Sequence, residues 1–400
     1  MGKTLPGNWK VVRIGDISRL IRGVTYVKQD AINNPKEGFV PILRANNIDA
    51  ELNYDELIYI PSNKVKGEQH IKTDDILIAM SSGSKNLVGK AAQSRIAFDG
   101  GFGAFCGLVR VNKNINRKLI GFFFQSSYYR KEVERLSIGA NINNLRREHI
   151  ETIKIPLPPL PTQHKIVEIL EEADSLRKLR KQADEKMKDL TPSLFVEMFG
   201  DPTTNPKRWG VKKLGEIAEI KSGGTPSRKR EEYFKGAIPW VTSVSLSKPY
   251  LTADDAKELI TQDAIENSAT KLIGRKSVLF GNRVCVGNVA INLCNICFSQ
   301  DVLAILYHED FLVPEFLWFY LLQKKVYFER ITRGSTIKGI TVSTLQNTVI
   351  PLPPLPLQQE FAERVKEIEA EKQRQAESKK KLDELFNSLM QRAFTGELVA

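Results

Sequence analysis

The stretch Ile155-Pro-Leu-Pro-Pro-Leu-Pro161 occurs twice in the chain, the second time as Ile350-Pro-Leu-Pro-Pro-Leu-Pro356. The offset of 195 residues between the two copies holds without a gap on both sides of them. The residues paired at this offset include Phe124 with Phe319, Gly139 with Gly334, Ile142 with Ile337, Leu145 with Ile340, Gln163 with Gln358, Glu168 with Glu363, Leu190 with Leu385, Ser193 with Ser388, Leu194 with Leu389 and Phe199 with Phe394. A proline-rich segment alone could be a stiff spacer, but gapless agreement on both flanks indicates an internal duplication.

A second matching motif lies near the start of each half, at an offset of 200 residues. It aligns Asn8-Trp9-Lys-Val11 with Arg208-Trp209-Gly-Val211, and the pairs that follow are Gly15 with Gly215, Ile17 with Ile217, Gly23 with Gly223 and Thr25 with Thr225. We therefore predict that each half folds into a globule, which is followed by a rigid proline hinge and a long helix. The predicted segments are residues 1–155, 156–201, 202–350 and 351–400. The middles of the globules match poorly, as expected either of one scaffold with ligand-specific loops or of neutral drift.

Positive charge is concentrated in the two globules. Residues 1–155 carry 24 Lys/Arg against 15 Asp/Glu, and residues 202–350 carry 20 against 14. The segments 162–201 and 351–400 are nearly neutral, with 7 against 9 and 8 against 9. Two separate basic globules indicate two contacts with one polyanion, and nucleic acid is the first candidate.

Length and composition exclude several classes of protein. Four hundred residues are too many for one compact core, and 42% apolar with 26% charged residues is typical of a globular protein. The longest apolar stretch, residues 311–322, is interrupted by Pro314 and Glu315 and is shorter than the roughly 20 residues that cross a bilayer. No signal peptide is visible, and four cysteines do not form a disulfide framework. We expect a cytoplasmic location.

Both globules alternate short β-type runs with Gly-, Asn- and Ser-rich turns, which predicts mixed sheets. Strands are predicted at 40–43, 76–79, 107–111, 277–280 and 302–306. Each globule ends in an aromatic-rich segment of helical character, at residues 119–136 and 314–331. The rings of these segments are expected to fill a core, with stacking on bases as the alternative: Phe122, Phe123, Tyr128, Tyr129, Phe316, Trp318, Phe319 and Tyr327.

After each proline motif the apolar spacing changes to seven residues, which is typical of a coiled-coil helix. The predicted seam consists of Ile166, Ile169, Ala173, Leu176, Arg180, Ala183, Met187, Leu190 and Leu194 on the central helix, and Phe361, Ile368, Gln375, Leu382 and Leu389 on the C-terminal helix. A pseudo-twofold axis between the halves would make the two helices an antiparallel coiled coil. Arg180 and Gln375 would then form a polar middle layer that fixes the register; the alternative is that both face solvent.

Catalytic motifs are not apparent. The chain lacks an Asn/Asp-Pro-Pro-aromatic tetrapeptide, Gly100-Gly-Phe-Gly103 indicates only a tight turn, and residues 83–90 depart from P-loop spacing. Cys294-Asn-Ile-Cys297 and Cys285 supply three thiols without an obvious fourth ligand, so we predict no metal site. His70, His149, His164 and His308 show neither metal-ligand nor triad spacing. We therefore predict that the chain is not an enzyme.

Two unlike globules, the repeated Ile-Pro-Leu-Pro-Pro-Leu-Pro hinge followed by Gln163 or Gln358, and two long helices resemble the specificity (S) subunits of Type I restriction–modification enzymes. The resemblance covers the whole chain, including the Trp9 and Trp209 motifs and the C-terminal Leu389-Met-Gln-Arg-Ala-Phe-Thr-Gly-Glu-Leu398. It implies an α+β fold, with two target recognition domains of mixed sheet plus helices joined by an antiparallel coiled coil, and internal pseudo-twofold symmetry.

The resemblance also implies a division of labour. Each globule would read one half of a bipartite double-stranded DNA target, while the helices set the spacing and dock two methyltransferase (M) subunits. Those subunits would methylate adenine N6 with S-adenosylmethionine, and nuclease/translocase (R) subunits would use ATP and Mg²⁺. The chain itself would bind no cofactor and no membrane.

The resemblance carries no individual reading residues over, so the candidates for DNA contact are polar or basic residues in Gly-flanked loops. They are Arg22, Arg44, Asn46, Asn47, Lys85 and Asn86 in the first globule, and Ser222, Thr225, Arg228, Lys229, Arg230, Thr242, Ser243, Asn282 and Arg283 in the second. Residues 139–142 and 334–337 are predicted turns before the hinges, with DNA contact as the alternative.

Two other functions compete with DNA recognition. A structural adaptor would use the helices to organise proteins, and its basic charge would be incidental. An unrecognised methyltransferase would transfer methyl groups without partners. Binding that weakens over several decades with salt but keeps a sequence preference would favour DNA recognition.

Overall fold

The computed structural model describes residues 5–83, 87–138, 144–333 and 339–399, and the chain divides into two compact units. Unit 1 comprises Met1–Lys181 with Glu377–Ala400, and unit 2 comprises Gln182–Ala376. Each unit contains one globule and a part of both long helical segments. The predicted α+β class, with mixed sheets and helices in two domains, is confirmed.

In the described part of unit 1, nine strands form three sheets with the orders β2-β8-β5-β6, β4-β3-β7 and β1-β9. The strands are β1 Lys10–Arg13, β2 Ser18–Arg22, β3 Phe39–Leu43, β4 Ile58–Pro61, β5 Ile76–Ala79, β6 Ala91–Gln93, β7 Gly101–Phe102, β8 Cys106–Val111 and β9 Lys154–Leu157. Strands β3 and β7 are parallel, and the other pairs are antiparallel. All four residues of β5 are buried, because Ile76 and Ile78 face a helix-covered core while Leu77 faces the second sheet.

The helices of unit 1 are α1 Ile14–Ile17, α2 Arg117–Gln125, α3 Ser127–Ile138, α4 Arg147–Glu151 and α5 Leu160–Lys188. The single helix predicted at 119–136 is in fact two. Ser126 separates them, because its backbone N–H and its hydroxyl both donate to the Phe123 carbonyl, at 3.0 and 2.6 Å, while its Oγ accepts the Tyr129 amide at 3.2 Å. One side chain thus ends α2 and begins α3.

Unit 2 repeats this plan, but each of its two larger sheets contains one more strand. The strand orders are β11-β19-β16-β17-β13, β14-β12-β18-β15 and β10-β20. The strands are β10 Val211–Lys213, β11 Ala218–Ser222, β12 Ile238–Val241, β13 Tyr250–Leu251, β14 Glu258–Ile260, β15 Leu272–Ile273, β16 Val278–Gly281, β17 Val289–Asn292, β18 Ile296–Phe298, β19 Val302–Tyr307 and β20 Val349–Pro351. The buried β16 has the place of β5: Val278 and Phe280 pack under helices, and Leu279 packs toward the second sheet.

The helices that begin in unit 2 are α6 Leu190–Phe199, α7 Leu214–Ile217, α8 Gln262–Glu266, α9 Pro314–Gln323, α10 Lys325–Arg333, α11 Val342–Gln346 and α12 Leu355–Thr395. The predicted aromatic helix at 314–331 is again interrupted, at Lys324. Because α10 starts afresh there, Phe328 takes the core position and Tyr327 is 54% exposed. The prediction that Tyr327 fills the core is therefore wrong. Tyr128 is half-buried, and the other six predicted core rings are buried.

Each proline motif begins in a strand that pairs with the first strand of its own globule. Val12 pairs with Ile155 in the β1–β9 ladder, and Lys212 pairs with Ile350 in the β10–β20 ladder. The glutamine after each motif is buried. Each of these pairings ties a hinge back to the start of the domain that it follows.

The predicted central helix is interrupted. It consists of α5 and α6, separated at Asp189. Pro192 explains the break, because a proline lacks the N–H that would bond to the carbonyl four residues earlier and its ring crowds that carbonyl. The C-terminal helix α12 is continuous over 41 residues.

The residues of the predicted seam differ in burial. Ile166, Ala173, Leu194 and Phe361 are buried, and Ile169, Arg180, Ala183, Met187, Ile368, Gln375, Leu382 and Leu389 are half-buried. Leu176 and Leu190 are exposed at 47% and 45%, so their assignment to the seam is wrong. Past Ala173 the buried face of α5 continues to Arg177, whose guanidinium lies 4.4 Å from the Phe386 ring centroid, and Leu190 begins a new helix after the break.

In the described ranges no helix is long and apolar enough to cross a membrane.

Candidate nucleic-acid interface

In unit 1 the ends of strands from both larger sheets meet at one edge. The ladder pairs Arg22 with Gly107 and Ala79 with Cys106 place the end of β2, the end of β5 and the start of β8 together. The parallel pair Leu43 with Phe102 brings the ends of β3 and β7 to the same edge, through a bond from the Gly103 amide to the Leu43 carbonyl of 2.9 Å. We call the loops that leave these strands the unit 1 loop edge; it comprises residues 22–27, 44–47, 80–83 and 103–105.

A tight turn between the two sheets organises this edge. Gly103 to Cys106 is closed by a 2.9 Å bond from the Cys106 amide to the Gly103 carbonyl, and it links β7 directly to β8. Gly23 packs against the same turn so closely that a Cβ atom would lie 2.1 Å from the Gly103 carbonyl oxygen. The sequence predicts the tight turn at residues 100–103. In the structure Gly101 lies in a strand, and the turn begins only at Gly103.

Three candidates of unit 1 lie on this edge with reachable side chains. Arg22 and Asn46 are exposed, and Arg44 is half-buried with one guanidinium nitrogen donating to the Glu56 carbonyl at 3.1 Å. Burial raises the pKa of Tyr26, and the Arg44 charge opposes that rise, as expected for neighbouring side chains.

Asn47 must be withdrawn as a DNA contact. Its side chain is buried, its Oδ1 accepts the Arg44 amide at 2.9 Å, and its Nδ2 donates to the Asp55 carbonyl at 3.0 Å. Both ends of the amide therefore serve the local turn. Lys85 and Asn86 lie outside the described residues, as do 139–142 and 334–337.

Unit 2 builds its edge in the same way. The pairs Ser222 with Leu303 and Gly281 with Val302 bring the ends of β11 and β16 to the start of β19. The turn Ser299 to Val302 links β18 to β19, closed by a 3.1 Å bond from the Val302 amide to the Ser299 carbonyl. A Cβ on Gly223 would lie 2.2 Å from that carbonyl oxygen, which matches Gly23 in unit 1. We call residues 222–230, 242–245, 282–284 and 299–301 the unit 2 loop edge.

The candidates of unit 2 differ in accessibility. Ser222, Thr225, Lys229 and Arg283 are exposed, and Thr242 is half-buried. Ser243 is fully buried and donates both its amide and its hydroxyl to Asp301, so it must be withdrawn. Asn282 is also withdrawn, because its side chain is 6% exposed and its backbone is bonded to Asp301 and Ile340.

Arg228 and Arg230 are committed to contacts inside the unit. Arg228 forms a bidentate ion pair with Glu258, which raises the pKa of the guanidinium, and its charge lies 4.4 Å from the Phe234 ring centroid. Arg230 donates to the Tyr233 hydroxyl at 2.6 Å. Both side chains remain exposed on one side, so each can approach a phosphate only while keeping or exchanging these partners.

The Asp301 carboxylate is the centre of the unit 2 turn. It accepts hydrogen bonds from Ser243 and Ser299. Burial by itself would raise the pKa of this carboxyl, but the hydrogen bonds outweigh burial and the pKa lies below its ordinary value. At neutral pH the turn is therefore held by an ionised side chain that points inward.

Sequence reasoning missed Phe105, which occupies in unit 1 the turn position that Asp301 occupies in unit 2. Its side chain is 69% exposed. The only available signal was a phenylalanine two residues after a glycine-rich run.

Neither edge resembles a catalytic or metal centre. Within the described residues, no group of three or more His, Cys, Asp or Glu side chains is placed to hold a metal ion. The four cysteines form no disulfide, and burial raises the pKa of the Cys106 and Cys297 thiols to about 12. These thiols are protonated apolar side chains at neutral pH.

Comparison with known proteins agrees with the duplication. Residues 6–188 and 206–384 each match the family model described as Type I restriction modification DNA specificity domain. The Escherichia coli K12 protein named Type I restriction enzyme EcoKI specificity subunit is 31% identical over 432 residues, covering 99% of this chain and 90% of that protein. The StySPI specificity subunit of Salmonella potsdam is 36% identical over 237 residues, covering 56% and 51%.

Solved structures share the fold. The S subunit of a Type I restriction–modification system from M. genitalium has a TM-score of 0.59 at 13% identity, with 98% of both chains covered. A chain from a structure described as showing complex assembly and conformational transition of the type I R-M system has a TM-score of 0.62 at 20% identity, covering 99% and 100%. With two matched specificity domains and a relative of over 30% identity along its length, the chain belongs to the family of Type I restriction enzyme specificity subunits.

Proposed function

We propose that this chain is the DNA-reading subunit of a Type I restriction–modification complex, and that each loop edge reads one half of a bipartite duplex target. The observation that carries this proposal is the matched construction of the two edges with unlike side chains. Both use a four-residue turn between two sheets and a glycine packed on that turn, but the third turn residue is the exposed Phe105 in one unit and the inward-facing Asp301 in the other. A shared backbone arrangement that carries different side chains in the two units suits the recognition of two different half-sites.

Charge supports a nucleic-acid ligand for both edges. The globules carry the positive excess of the chain, and Arg22, Lys229 and Arg283 are exposed on the loop edges. Such side chains neutralise phosphates and give salt-dependent affinity, while polar groups of the same loops can contact base edges.

The helices would set the distance between the half-sites. Helix α12 has residues in both units, since the division between them falls at 376/377 within it. At 1.5 Å per residue its 41 residues extend over about 60 Å, which exceeds the roughly 34 Å of one turn of B-DNA. We propose that it pairs with the central helix in antiparallel fashion and that this pair docks two methyltransferase subunits.

Chemistry would belong to the partners. In this proposal the methyltransferase subunits use S-adenosylmethionine to methylate adenine N6, and nuclease/translocase subunits use ATP and Mg²⁺. The partner must extrude its target base, so the specificity subunit needs only to hold the duplex during that step.

Methylome sequencing of cells that carry the complete system tests the proposal. We expect one bipartite adenine-methylated motif. Replacing residues 1–155 with the corresponding part of a relative should change one half of that motif and leave the other half unchanged. A motif that changes in both halves or in neither would contradict the assignment of one half-site to each unit.

A structural adaptor remains the competing function. It predicts that the purified chain binds DNA without sequence preference, or not at all, at every salt concentration. DNA recognition predicts affinity that falls steeply as salt rises and a preference for the methylated motif that persists.

A further inference from the structure

Phe105 is an exposed aromatic side chain on the unit 1 loop edge, which also carries the exposed side chains of Arg22, Asn46 and Val27. Of the phenylalanines in the described ranges, it is the one whose side chain is exposed, at 69%. Leaving a phenyl ring in water forgoes the stabilisation that burial gives to such a side chain. Burial of apolar surface therefore does not account for a phenyl ring at this position.

The ring stands on a rigid support. The Phe105 carbonyl accepts two backbone amides, those of Met80 at 2.8 Å and Ser81 at 3.1 Å. The turn itself is closed between Gly103 and Cys106, and the Cys106 side chain is buried. The backbone at the ring is thus bonded to the two residues that follow β5 and lies within a closed turn, which limits the entropy lost when a ligand fixes the ring.

The neighbours of the turn fit a nucleic acid. A Cβ placed on Gly103 would lie 3.5 Å from the Tyr26 hydroxyl and 3.9 Å from the Arg44 Cγ, and Arg22 ends the adjacent strand β2. An exposed ring on a loop edge that also carries arginine side chains can contact a base while the arginines contact phosphates.

The fold does not require a ring at this position. In unit 2 the equivalent turn residue is Asp301, which turns inward to bind Ser243 and Ser299. The same four-residue turn is thus built without an exposed apolar group. The exposed ring therefore belongs to the unit 1 loop edge alone and is not required by the backbone arrangement that the two loop edges share.

We propose that Phe105 inserts into the base stack of the half-site read by unit 1, as an apolar wedge or stacking platform for one base step. This inference rests on the proposed function and assigns a specificity-determining contact to it. Partial insertion of an apolar side chain unstacks a step at a cost that depends on sequence, which gives a preference for easily deformed steps.

The test uses the full chain assembled with its methyltransferase subunits and a duplex carrying the motif found by methylome sequencing. Phe105→Ala is compared with Phe105→Trp and with Ile96→Ala. Ile96 is a matched control, since it is 51% exposed and follows β6, whose end pairs with the start of β5, away from the loop edge. Affinity is measured for the motif and for an unrelated duplex, and 2-aminopurine is placed at successive positions of the half-site.

We expect Phe105→Ala to weaken binding to the motif about tenfold or more, as for loss of one aromatic–base stack. Binding to the unrelated duplex should change little, and the slope of affinity against salt should stay the same because the ring carries no charge. Phe105→Trp should retain binding, and one 2-aminopurine position should lose its fluorescence change in Phe105→Ala alone.

Two results would overturn the inference. One is a Phe105→Ala complex that binds the motif within twofold of the wild type. The other is a loss of assembly with the methyltransferase subunits in the absence of DNA, which would make Phe105 a protein contact. A wild-type complex without any sequence preference would instead refute the proposed function itself.

Discussion

Two buried glutamines fix the proline hinges to the globules that precede them. The Gln163 amide donates to the Pro158 carbonyl at 2.8 Å and accepts the Asn116 amide at 2.9 Å. Gln358 donates to the carbonyls of Pro353 and Phe311, at 2.8 and 3.0 Å, and accepts the Val313 amide at 2.9 Å. Asn116 and Val313 directly precede helices α2 and α9, so each glutamine joins a hinge to the first long helix of its globule.

Replacing Gln358 with Leu should lower the free energy of unfolding by at least about 3 kcal/mol. The change leaves two carbonyls and one amide without their partner in a buried site, and each lost buried bond of this kind costs about 1–3 kcal/mol. The control is Gln359→Leu, because Gln359 is the exposed neighbour on the same helix. Urea denaturation of both variants measures the difference, and equal midpoints would show that Gln358 does not hold the hinge.

Asp301 gives unit 2 a pH dependence in the acid range. A carboxyl whose pKa is depressed on folding contributes stability above its unfolded pKa, near 4, and loses that contribution as pH falls through the folded value. Asp301→Asn cannot make this contribution. We therefore expect the melting temperature of the wild type to exceed that of the variant near pH 7, with the gap closing below about pH 4. A gap that is constant from pH 7 to pH 3 would contradict this account.

At the scale of elements, local pattern predicted the buried strands well and the helix ends poorly. The run Ile76–Ala79 was predicted to the residue because an apolar run between turn residues has few alternatives. The interruptions at Ser126 and Lys324 were not predicted, since apolar spacing continues across both. The break at Asp189 follows from Pro192, a signal that the heptad pattern masked.

The loop candidates show the same limit. Most of the described candidates, chosen as polar or basic residues in Gly-flanked loops, lie on the two loop edges, but Asn47, Ser243 and Asn282 are buried there. Whether a polar loop residue faces water or a turn depends on partners distant in sequence, such as Asp301 for Ser243. Phe105 was missed for the converse reason, because exposure of an apolar residue is also decided by tertiary structure.

Gln375 on helix α12 is an element-scale test of the seam. It is half-buried, its Nε2 donates to Glu371 at 3.1 Å, and its buried Oε1 has no hydrogen-bond partner within the described structure. We expect Gln375→Leu to stabilise the chain by about 1 kcal/mol, because it removes an unsatisfied buried acceptor.

Thermal unfolding measures this change against Gln373→Leu, which alters an exposed glutamine two residues earlier. A gain of about 2–4 °C for Gln375→Leu alone is the expected result. A lower melting temperature than that of the control would show that the amide makes a stabilising contact. If Gln375 also belongs to a register-fixing polar layer with Arg180, replacing both with Leu should alter the preferred spacer of the DNA target.

At the scale of the whole molecule, the proposed function assigns the two half-sites to the two loop edges and the spacing between them to the long helices. The loop edges belong one to each unit, whereas residues of both long helical segments occur in both units. Changes in a loop edge should therefore alter one half-site and leave the spacer unchanged. Changes in helix length should alter the spacer and leave both half-sites unchanged.

Inserting four residues into both α5 and α12 tests this separation directly. Four residues make about one helical turn, so the buried face keeps its orientation while each helix lengthens by about 6 Å. Since base pairs in B-DNA are about 3.4 Å apart, we expect the preferred spacer to grow by about one or two base pairs with both half-sites retained. Methylome sequencing reads the half-sites and the spacer in one measurement.

Insertion into one helix alone is the control and should impair the complex, because the two helices would then differ in length. A double insertion that methylates the original motif with its original spacer would show that the helices do not set the distance.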